Sequence, residues 1–497
     1  MDDVEFFHMP PYYRIPPPTA GTSCGKRQNL FNEVVDTMRI LAIETSCDET
    51  AVCLIEARGG LLRARLSLLG NALYSQVALH APFGGVFPSL AKREHAKNLV
   101  PLLEAVLGEA TEVTNEKGKM KNEKLQYKIK KYDNKVRKIR VLLEREGELL
   151  QQLLSALPKI VSKKPPADAI AVTYGPGLEP ALWVGINFAR ALSVLWDVPV
   201  IPINHMEGHV VSALLRRNDV SSPVTSYQLP APRFPALALL VSGGHTELVL
   251  MKKWLDYTVI GETRDDAAGE AFDKVARMLG LSYPGGTVIS ALAEKARLKN
   301  VRHPMSNKIS SKLSGNQRPV ASVQLPRPML HSPDFDFSFS GLKTAVLYLL
   351  KAPIQHRVLN KGLNKNIQYS VLNTLVALEF ENAVVEVLVK KTLRAAEHFG
   401  ARTVLLGGGV AANIHLRREL EAALAPLEAA SRKTRLLLMG RARESPKTTL
   451  LLPDPALTGD NAIMIAAAAH IRLAKLGLDA FRVNPKINAK GNLRLST

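Results

Sequence analysis

The 497-residue sequence has little cysteine: only Cys24, Cys47 and Cys53. Three cysteines are too few for a disulfide framework or for a zinc site made of thiolates. No stretch reaches ~18 uninterrupted apolar residues, so the sequence predicts no transmembrane helix. Residues 1–37 also lack the basic-then-apolar pattern of a secretion signal. These absences predict a protein of the reducing cytoplasm that has no membrane partner.

The two most familiar glycine-rich nucleotide motifs are also missing. No G-x-G-x-x-G follows the first apolar run, and no G-x-x-x-x-G-K-[ST] occurs anywhere. A Rossmann dinucleotide domain and a P-loop ATPase are therefore excluded.

Acidic residues are scarce relative to basic ones, and the net charge is +20. The excess falls in a few segments: residues 111–165 carry 15 basic and 7 acidic side chains, 301–320 carry 4 and none, and 431–450 carry 6 and 1. A nearly neutral core with basic appendages indicates a polyanionic partner, most simply nucleic acid. Solubility alone is the alternative interpretation.

Two predicted hairpins share one design. Apolar runs at 40–43 and 51–55 flank a polar turn, and runs at 236–241 and 248–251 flank another. A third apolar run at 403–406 leads into three glycines and a helical pattern. Strands alternate with helices between these landmarks, which predicts an internally duplicated α/β fold of two similar lobes.

The first basic segment contains a regular apolar pattern. The apolar residues are alternately four and three positions apart, which predicts an amphipathic helix that is interrupted near Gly147. These residues are Leu125, Ile129, Tyr132, Val136, Ile139, Leu143, Leu150 and Leu153. The helix is either an arm that packs on the protein or a partner, or a solvated decoration.

The second hairpin turn, Ser242–Thr246, combines glycines with hydroxyl groups. Glycines let backbone N–H groups approach an anion closely, and the hydroxyls can donate to phosphate. The turn at 48–50 and the glycines at 407–409 before a helix add two further loops. Together they indicate a nucleotide cleft, although a plain hairpin turn is the alternative for each.

His205 and His209 are spaced i and i+4, so they share one helix face and can bind one metal ion. A zinc-protease motif needs Glu directly after the first His, whereas Glu207 is the third residue here. Asp460 is the candidate third ligand, just before an Ala-rich helix over 462–473. The alternatives are surface histidines and an Asp460 that only caps the helix.

Two further strings have a structural alternative. The side chains of Asp266, Glu270 and Asp273 share a predicted helix face, where they could bind ribose hydroxyls or a cation. The alternative is that they belong to a capped amphipathic helix with a structural role. Residues 336–344 indicate a strand that runs into a helix, with a structural role.

Taken together, these strings resemble the TsaD (Gcp- and Kae-type) family of tRNA N6-adenosine threonylcarbamoyltransferases. The matching strings occur in collinear order at 38–50, 84–91, 93–95, 174–178, 204–209, 240–246, 265–274, 284–286, 325–328, 335–344, 407–413 and 460–461.

The resemblance implies the fold shared by actin, hexokinase and Hsp70 (the ASKHA fold): a duplicated two-lobed α/β fold around a central nucleotide and metal cleft. The expected domains are a non-core or disordered tail over 1–37, a first lobe over 38–235 with an insertion at 111–165, a second lobe over 236–475 with insertions at 300–322 and 431–450, and a C-terminal tail over 476–497. Met38 is an alternative start.

The implied reaction transfers a threonylcarbamoyl group from threonylcarbamoyl-AMP to N6 of the adenosine beside the anticodon, in tRNAs that read codons beginning with A. The implied cofactor is one divalent metal, iron first and zinc or manganese otherwise, held by His205, His209 and Asp460. The implied substrate or nucleotide contacts are Leu240, Val241, Ser242, Gly243, Gly244, Asp273, Gly286 and Asn413. Asp48 or Glu49 takes the N6 proton or orders water.

The implied partners are tRNA, a TsaB-like dimerisation subunit and a TsaE-like ATPase, as in bacterial or organellar members. The sequence departs from the family at Glu179–Pro180, where a loop is reshaped, and at Thr458–Gly459. Three other functions compete. An ATPase or kinase of this fold leaves the histidine pair without a role, a metalloprotease conflicts with the place of Glu207, and a scaffold would tolerate loss of the three ligands.

Overall fold

A computed structural model describes residues 37–114, 133–161, 165–218, 224–298, 323–351, 365–425, 448–482 and 486–495. All of these belong to one unit, which begins at Val35. Of the expected tail over 1–37, residues 1–36 lie outside the described residues, as does the insertion at 300–322. The insertion at 111–165 is described except for 115–132 and 162–164, and the insertion at 431–450 is described only from 448.

The described residues form twelve strands in two sheets. The strands are β1 (Met38–Glu44), β2 (Glu49–Gly59), β3 (Arg63–Ser75), β4 (Ala169–Gly175), β5 (Val200–Asn204), β6 (Arg216–Arg217), β7 (Ser226–Pro230), β8 (Ala236–Val241), β9 (Thr246–Lys253), β10 (Asp256–Glu262), β11 (Thr403–Gly407) and β12 (Thr449–Leu451). The first sheet has the order β5-β4-β1-β2-β3-β7-β6, and the second has the order β10-β9-β8-β11-β12.

The same residues form twelve α-helices. They are α1 (Val77–His80), α2 (Pro88–Thr114), α3 (Asp133–Leu142), α4 (Gly147–Ile160), α5 (Glu179–Trp196), α6 (His205–Ser212), α7 (Ala268–Met278), α8 (Gly285–Leu298), α9 (Ser340–Lys351), α10 (Lys365–His398), α11 (Ile414–Leu424) and α12 (Ala462–Leu476). None of the helices in these ranges combines the length and the apolar character that a membrane span needs.

The two sheets repeat one topology. In the first, β1 pairs antiparallel with β2, β2 pairs antiparallel with β3, and β1 and β5 flank β4 in parallel. In the second, β8, β9 and β10 form the same antiparallel meander, and β8 and β12 flank β11 in parallel. The duplication predicted from the two hairpins is therefore confirmed as an α/β fold with two lobes.

One apolar core joins the lobes. It includes strand residues of both sheets, such as Ala42 and Ala238, together with most of α12. Small side chains dominate this helix, and all residues from Ala462 to Ile471 are buried. The alanines let the helix backbone pack closely, and α12 contacts β1, β2 and α6.

The described part of the first insertion is not a solvated decoration. Ile139, Leu143, Leu149 and Leu153 are fully buried in the core of the first lobe. The interruption predicted near Gly147 is confirmed, because α3 ends at Leu142 and α4 begins at Gly147. The start of the predicted heptad pattern, Leu125 to Tyr132, lies outside the described residues.

One expectation about local structure was wrong, and the described part of the predicted C-terminal tail packs against the fold. Glu179 and Pro180 do not reshape a loop: they open α5, whose first turn suits proline because that N–H needs no helical partner. The predicted C-terminal tail is not free in its described part. Ile487, Ala489 and Leu495 are buried, and the Lys490 N–H donates to the carbonyl of Tyr174 at the end of β4.

Candidate functional site

The nitrogen and oxygen atoms of His205, His209 and Asp460 converge. Nε2 of His205 lies 3.3 Å and Nε2 of His209 lies 3.2 Å from Oδ1 of Asp460, and the two nitrogens are 3.1 Å apart. Neighbouring ligands of an ion bound at about 2.0–2.2 Å are separated by roughly 3 Å. Among the described residues, this is the one cluster of three His, Cys, Asp or Glu side chains that could hold a metal ion.

Two capped helices bring these side chains together. Asn204 ends β5 and caps α6, with its side chain accepting from the Met206 N–H. This starts the helix at His205 and places both histidines on one face. Asn461 caps α12 by accepting from the Met464 N–H, so Asp460 is not the cap. Its carboxylate is left free to face the histidines.

A second carboxylate lies behind His205. Oε2 of Glu44 is 3.3 Å from Nδ1 of His205, and the Ser46 hydroxyl is 3.2 Å from the same nitrogen. Glu44 also accepts from the Ser46 N–H at 2.6 Å and from the Thr173 hydroxyl. A carboxylate that holds one ring nitrogen leaves the other available to a metal. The sequence signal for Glu44 was a charged residue that ends a buried strand.

The electrostatics of the site are dominated by burial and by opposed charges. Burial lowers the pKa of His205, but the Asp460 and Glu44 carboxylates outweigh it and raise that pKa well above its usual value. Burial raises the pKa of Asp460, yet His205 and His209 bring it far below its usual value. The three ligands and Glu44 therefore form a mutually stabilised charge cluster that water reaches poorly.

Nδ1 of His209 and the ring of His245 also belong to the surroundings of these three side chains. Nδ1 of His209 is buried without a hydrogen-bond partner among the described residues. The turn residue His245 has a pKa of about 4, because it is buried and because His205 and His209 lie near it. His245 therefore borders the centre as a neutral ring, which its place in a glycine-rich turn did not indicate.

The geometry argues against a protease. Glu207 points away from the ligand atoms, and its carboxylate accepts from the guanidinium of Arg472, with the closer contact at 2.5 Å. A zinc-protease general base must reach the metal-bound water. Glu207 is instead half of a buried ion pair.

The turn between β8 and β9 offers open space. Ser242 and His245 close the turn through two hydrogen bonds, and a Cβ added at Gly243 or Gly244 would meet no atom within 4 Å. Leu240 and Val241 are fully buried in β8, so they present no surface to a ligand. The predicted contacts at 240–244 stay a prediction, with the glycines as its accessible part.

The other three predicted contacts have structural partners. Asp273 accepts from the Gly285 N–H at 2.7 Å, and its burial raises its pKa. Gly286 donates to the same carboxylate. Asn413 caps α11 and donates to Ser290 and Glu381. These residues position the start of α8 and of α11, and their contact with a ligand stays a prediction.

The two predicted catalytic carboxylates stand at the start of β2. Asp48 is buried, and Glu49 is partly buried. Burial, Asp460 and Asp48 together raise the pKa of Glu49 to about 10. The raised pKa favours the protonated form of Glu49, in which it can donate to Asp48.

The acidic string at 265–274 does not gather around a cation. Asp266 binds Lys274 and Lys343, and Glu270 binds Lys274. These ion pairs agree with the structural interpretation, and a contact of Asp266, Glu270 or Asp273 with ribose hydroxyls stays a prediction. Residues 336–344 are structural too: Phe337 bridges to Thr263, and Ser340 begins α9.

Proteins of known name are similar to this chain over most of its length. The family model described as TsaD, tRNA N6-adenosine threonylcarbamoyltransferase, matches residues 67–117 and 146–467. Relatives with that name include one from Chromobacterium violaceum, 38% identical over 88% of this chain and 93% of its own length. Others are from Thermomicrobium roseum, 38% identical over 89% and 94%, and Nitrosospira multiformis, 36% identical over 92% and 98%.

Among solved structures, full-length HypF in its phosphate- and nucleotide-bound form aligns with a TM-score of 0.40 and 11% identity. The alignment covers 90% of this chain and 48% of that one.

Proposed function

The chain belongs to the TsaD family of tRNA N6-adenosine threonylcarbamoyltransferases, and we propose that it performs the transfer beside the His205–His209–Asp460 centre. The enzyme is an acyltransferase that makes N6-threonylcarbamoyladenosine next to the anticodon of tRNAs that read codons beginning with A. The observation that carries the placement is the convergence of three ligand atoms within 3.3 Å of one another.

The three side chains suit a divalent metal ion, with iron as the first candidate and zinc or manganese as the others. Two imidazoles and one carboxylate are borderline ligands that all three ions accept. When bound, such an ion polarises the carbonyl of the threonylcarbamoyl group and offsets the negative charge that develops there. Glu44 orients the ring of His205, and burial of the cluster keeps water away from the ligand atoms.

We assign the fold more finely to the class shared by actin, hexokinase and Hsp70. The support is the repeated strand order, in which a three-stranded meander is extended by two parallel strands in each sheet. In such a duplicated fold the ligand lies between the lobes, where Ser46 and Asp48 from the first lobe and the turn at 242–246 from the second are found.

The donor in this proposal is threonylcarbamoyl-AMP. Its phosphate would lie at the open turn of Gly243 and Gly244, where backbone N–H groups and the Ser242 hydroxyl can donate. N6 of the adenosine attacks the carbamoyl carbon, the bond from that carbon to the phosphate oxygen breaks, and AMP leaves. The amine loses one proton in this step.

Asp48 is the proposed acceptor of that proton. The raised pKa of Glu49 favours its protonated form, which can stabilise the Asp48 carboxylate by donating to it. Replacing Asp48 by Asn should therefore lower kcat by about 100-fold or more, whereas Glu49→Gln retains a donor and should cost much less.

We further propose that the protein works in the cytoplasm with a TsaB-like dimerisation subunit and a TsaE-like ATPase. The support is the family membership. An ATPase, kinase or scaffold function would give the buried three-ligand cluster no role, so these alternatives are not favoured.

The test mixes metal-loaded protein, threonylcarbamoyl-AMP and unmodified tRNA, with and without the two subunits, and detects modified adenosine by mass spectrometry of the digested tRNA. We expect product from the unaltered protein. His209→Ala and Asp460→Ala should lose both the bound metal and the product, while His331→Ala, at an exposed histidine, should lose neither. Full activity in a metal-free variant would refute the role of the metal. Absence of product from metal-loaded, folded protein in every mixture would refute the transfer.

A further inference from the structure

Two exposed aromatic rings stand out on the first lobe. Phe83 and Phe87 are 60% and 51% exposed, and their rings stack with centroids 5.6 Å apart and planes 20° apart. Exposing two phenylalanine rings is unfavourable in water, and their stacking leaves flat outer faces free. A pair of this kind fits a planar ligand.

The segment that carries the rings is joined to the turn at 46–50 by a series of hydrogen bonds. The Phe87 N–H donates to His80 Nδ1, and His80 Nε2 contacts Gln76 Oε1 at 3.1 Å. The Gln76 N–H in turn donates to the carbonyl of Asp48 at 2.9 Å. His95 adds a second tie, because its Nε2 lies 3.0 Å from the carbonyl of Cys47.

The same segment also touches the second lobe. The exposed guanidinium of Arg277, on α7, donates to the carbonyl of Gly84. In the sequence, Gly84 lies between Phe83 and Phe87. A Cβ at Gly84, whose φ is +66°, would lie 2.7 Å from that guanidinium. The rings therefore border the place where the turn at 46–50 and α7 face each other, which is the rim of the cleft.

Exposed basic side chains lie on the two helices next to this segment. Arg277 is exposed, and Arg93 and Lys97 are exposed one turn apart on α2, whose first turn has no acidic residue. Glu94 lies between them and holds the side-chain amide of Asn98. Aromatic faces next to cationic side chains are the usual means by which proteins hold unpaired bases and their phosphates.

We propose that Phe83 and Phe87 form a stacking platform for an unpaired base of the tRNA anticodon loop. The inference rests on the proposed function, because an enzyme that modifies a base must separate it from its neighbours. The target adenosine enters the cleft, and an adjacent base that loses its stacking partner stacks on the phenylalanine pair. The platform thus recognises RNA and takes no part in the acyl transfer itself.

The kinetic test compares Phe83→Leu and Phe87→Leu with Phe87→Trp and with Tyr348→Leu. Tyr348 is an aromatic residue that is 68% exposed on α9, so it controls for loss of any surface ring. We expect the leucine variants to raise KM for tRNA roughly 5- to 100-fold, the range that loss of one base–aromatic stack gives. KM for the donor and kcat should stay within about twofold, and Phe87→Trp and Tyr348→Leu should resemble the unaltered protein.

A second measurement does not depend on catalysis. An anticodon stem-loop RNA with 2-aminopurine beside the target adenosine should lose fluorescence on binding, because stacking on a ring quenches this base. The Phe83→Leu and Phe87→Leu variants should remove the quenching. Unchanged KM for tRNA and unchanged quenching would overturn the platform, as would a loss confined to binding of a protein subunit. Absence of product with quenching intact would instead count against the proposed function alone.

Discussion

The orientation of a single imidazole depends on one buried carboxylate. Glu44 is fully buried, and it reaches His205 at the ring nitrogen that does not face Asp460. A neutral residue at this position would orient the imidazole of His205 less firmly. It would also lower the basicity of Nε2, the nitrogen that can bind a metal.

We therefore predict that Glu44→Gln lowers the affinity for the divalent metal by about 10- to 100-fold. Glu207→Gln is the matched control, since Glu207 is also a buried carboxylate but pairs with Arg472. It should reduce the thermal midpoint and leave metal affinity unchanged. Metal titration with a competing chelator, alongside thermal unfolding, separates the two outcomes. An equal loss of affinity in both variants would show that Glu44 has no particular role.

The buried side chain of Glu247 makes the stability of the folded protein depend on pH. It is 8% exposed on β9, and Oε2 has no partner among the described residues. Burial and the neighbouring Glu262 raise its pKa from 4.5 to about 7, against the opposing charge of Arg494. Between these two pH values the folded chain keeps a proton that the unfolded chain releases, so the free energy of unfolding falls as pH rises.

Glu247→Gln should remove this loss, because glutamine stays neutral at every pH. We expect the variant to be more stable than the unaltered protein at pH 8, by about 1–3 kcal/mol, and equally stable near pH 4.5. Thermal or urea unfolding at both values provides the measurement. A stability difference that does not change between pH 4.5 and pH 8 would contradict the assignment.

At the scale of elements, the β8–β9 turn and the loop after β11 use glycine for different reasons. Gly408 has a φ of +89°, and a Cβ there would lie 2.4 Å from the carbonyl oxygen of Val241. Gly244 has no such constraint and faces open space. The first glycine is required by the fold, whereas the second leaves room for a ligand.

Gly244→Ala should therefore leave the thermal midpoint unchanged and raise KM for threonylcarbamoyl-AMP. Gly408→Ala should destabilise the protein by about 2 kcal/mol or more, through backbone strain and a steric clash. Thermal unfolding and donor titration of both variants test the pair. Normal donor KM in a folded Gly244→Ala variant would place the donor phosphate elsewhere.

At the scale of the whole molecule, the C-terminal segment 486–495 connects the two sheets. Its backbone pairs with Tyr174 and Gly177 in the first lobe, and the carbonyl of Arg494 accepts from the side chain of Asn204. The Arg494 guanidinium reaches Glu262 on β10 at 2.8 Å. That ion pair is largely exposed, so its contribution is small, and the buried apolar side chains of the segment dominate.

Truncation after Arg482 should consequently lower the stability much more than Arg494→Ala. The truncation exposes the sites of Ile487 and Leu495, each worth about 1.5–3 kcal/mol when buried. Arg494→Ala removes a surface pair worth about 0–1 kcal/mol. Thermal unfolding of the full chain and both variants gives the comparison. If the two losses were equal, the ion pair would be the main connection.

The sequence by itself determined the main elements and the three candidate metal ligands. Short apolar runs around polar turns predicted both hairpins. The i,i+4 spacing of His205 and His209 predicted that the two histidines share one helix face. Both predictions succeeded because these patterns are local. Asp460 was a candidate from its place before the Ala-rich helix over 462–473, and the family strings supported it across a long sequence separation.

Only the tertiary structure decided which side chains surround those ligands and which predicted contacts are structural. Glu44 and Ser46 reach His205 within the first lobe, and His245 approaches from the second. No local sequence pattern reports such contacts. Tertiary packing also commits Asp273 and Asn413 to helix starts and raises the pKa of Glu49 through burial and nearby charge. Burial and electrostatic environment are properties of the assembled fold, so they could not be predicted from the order of residues alone.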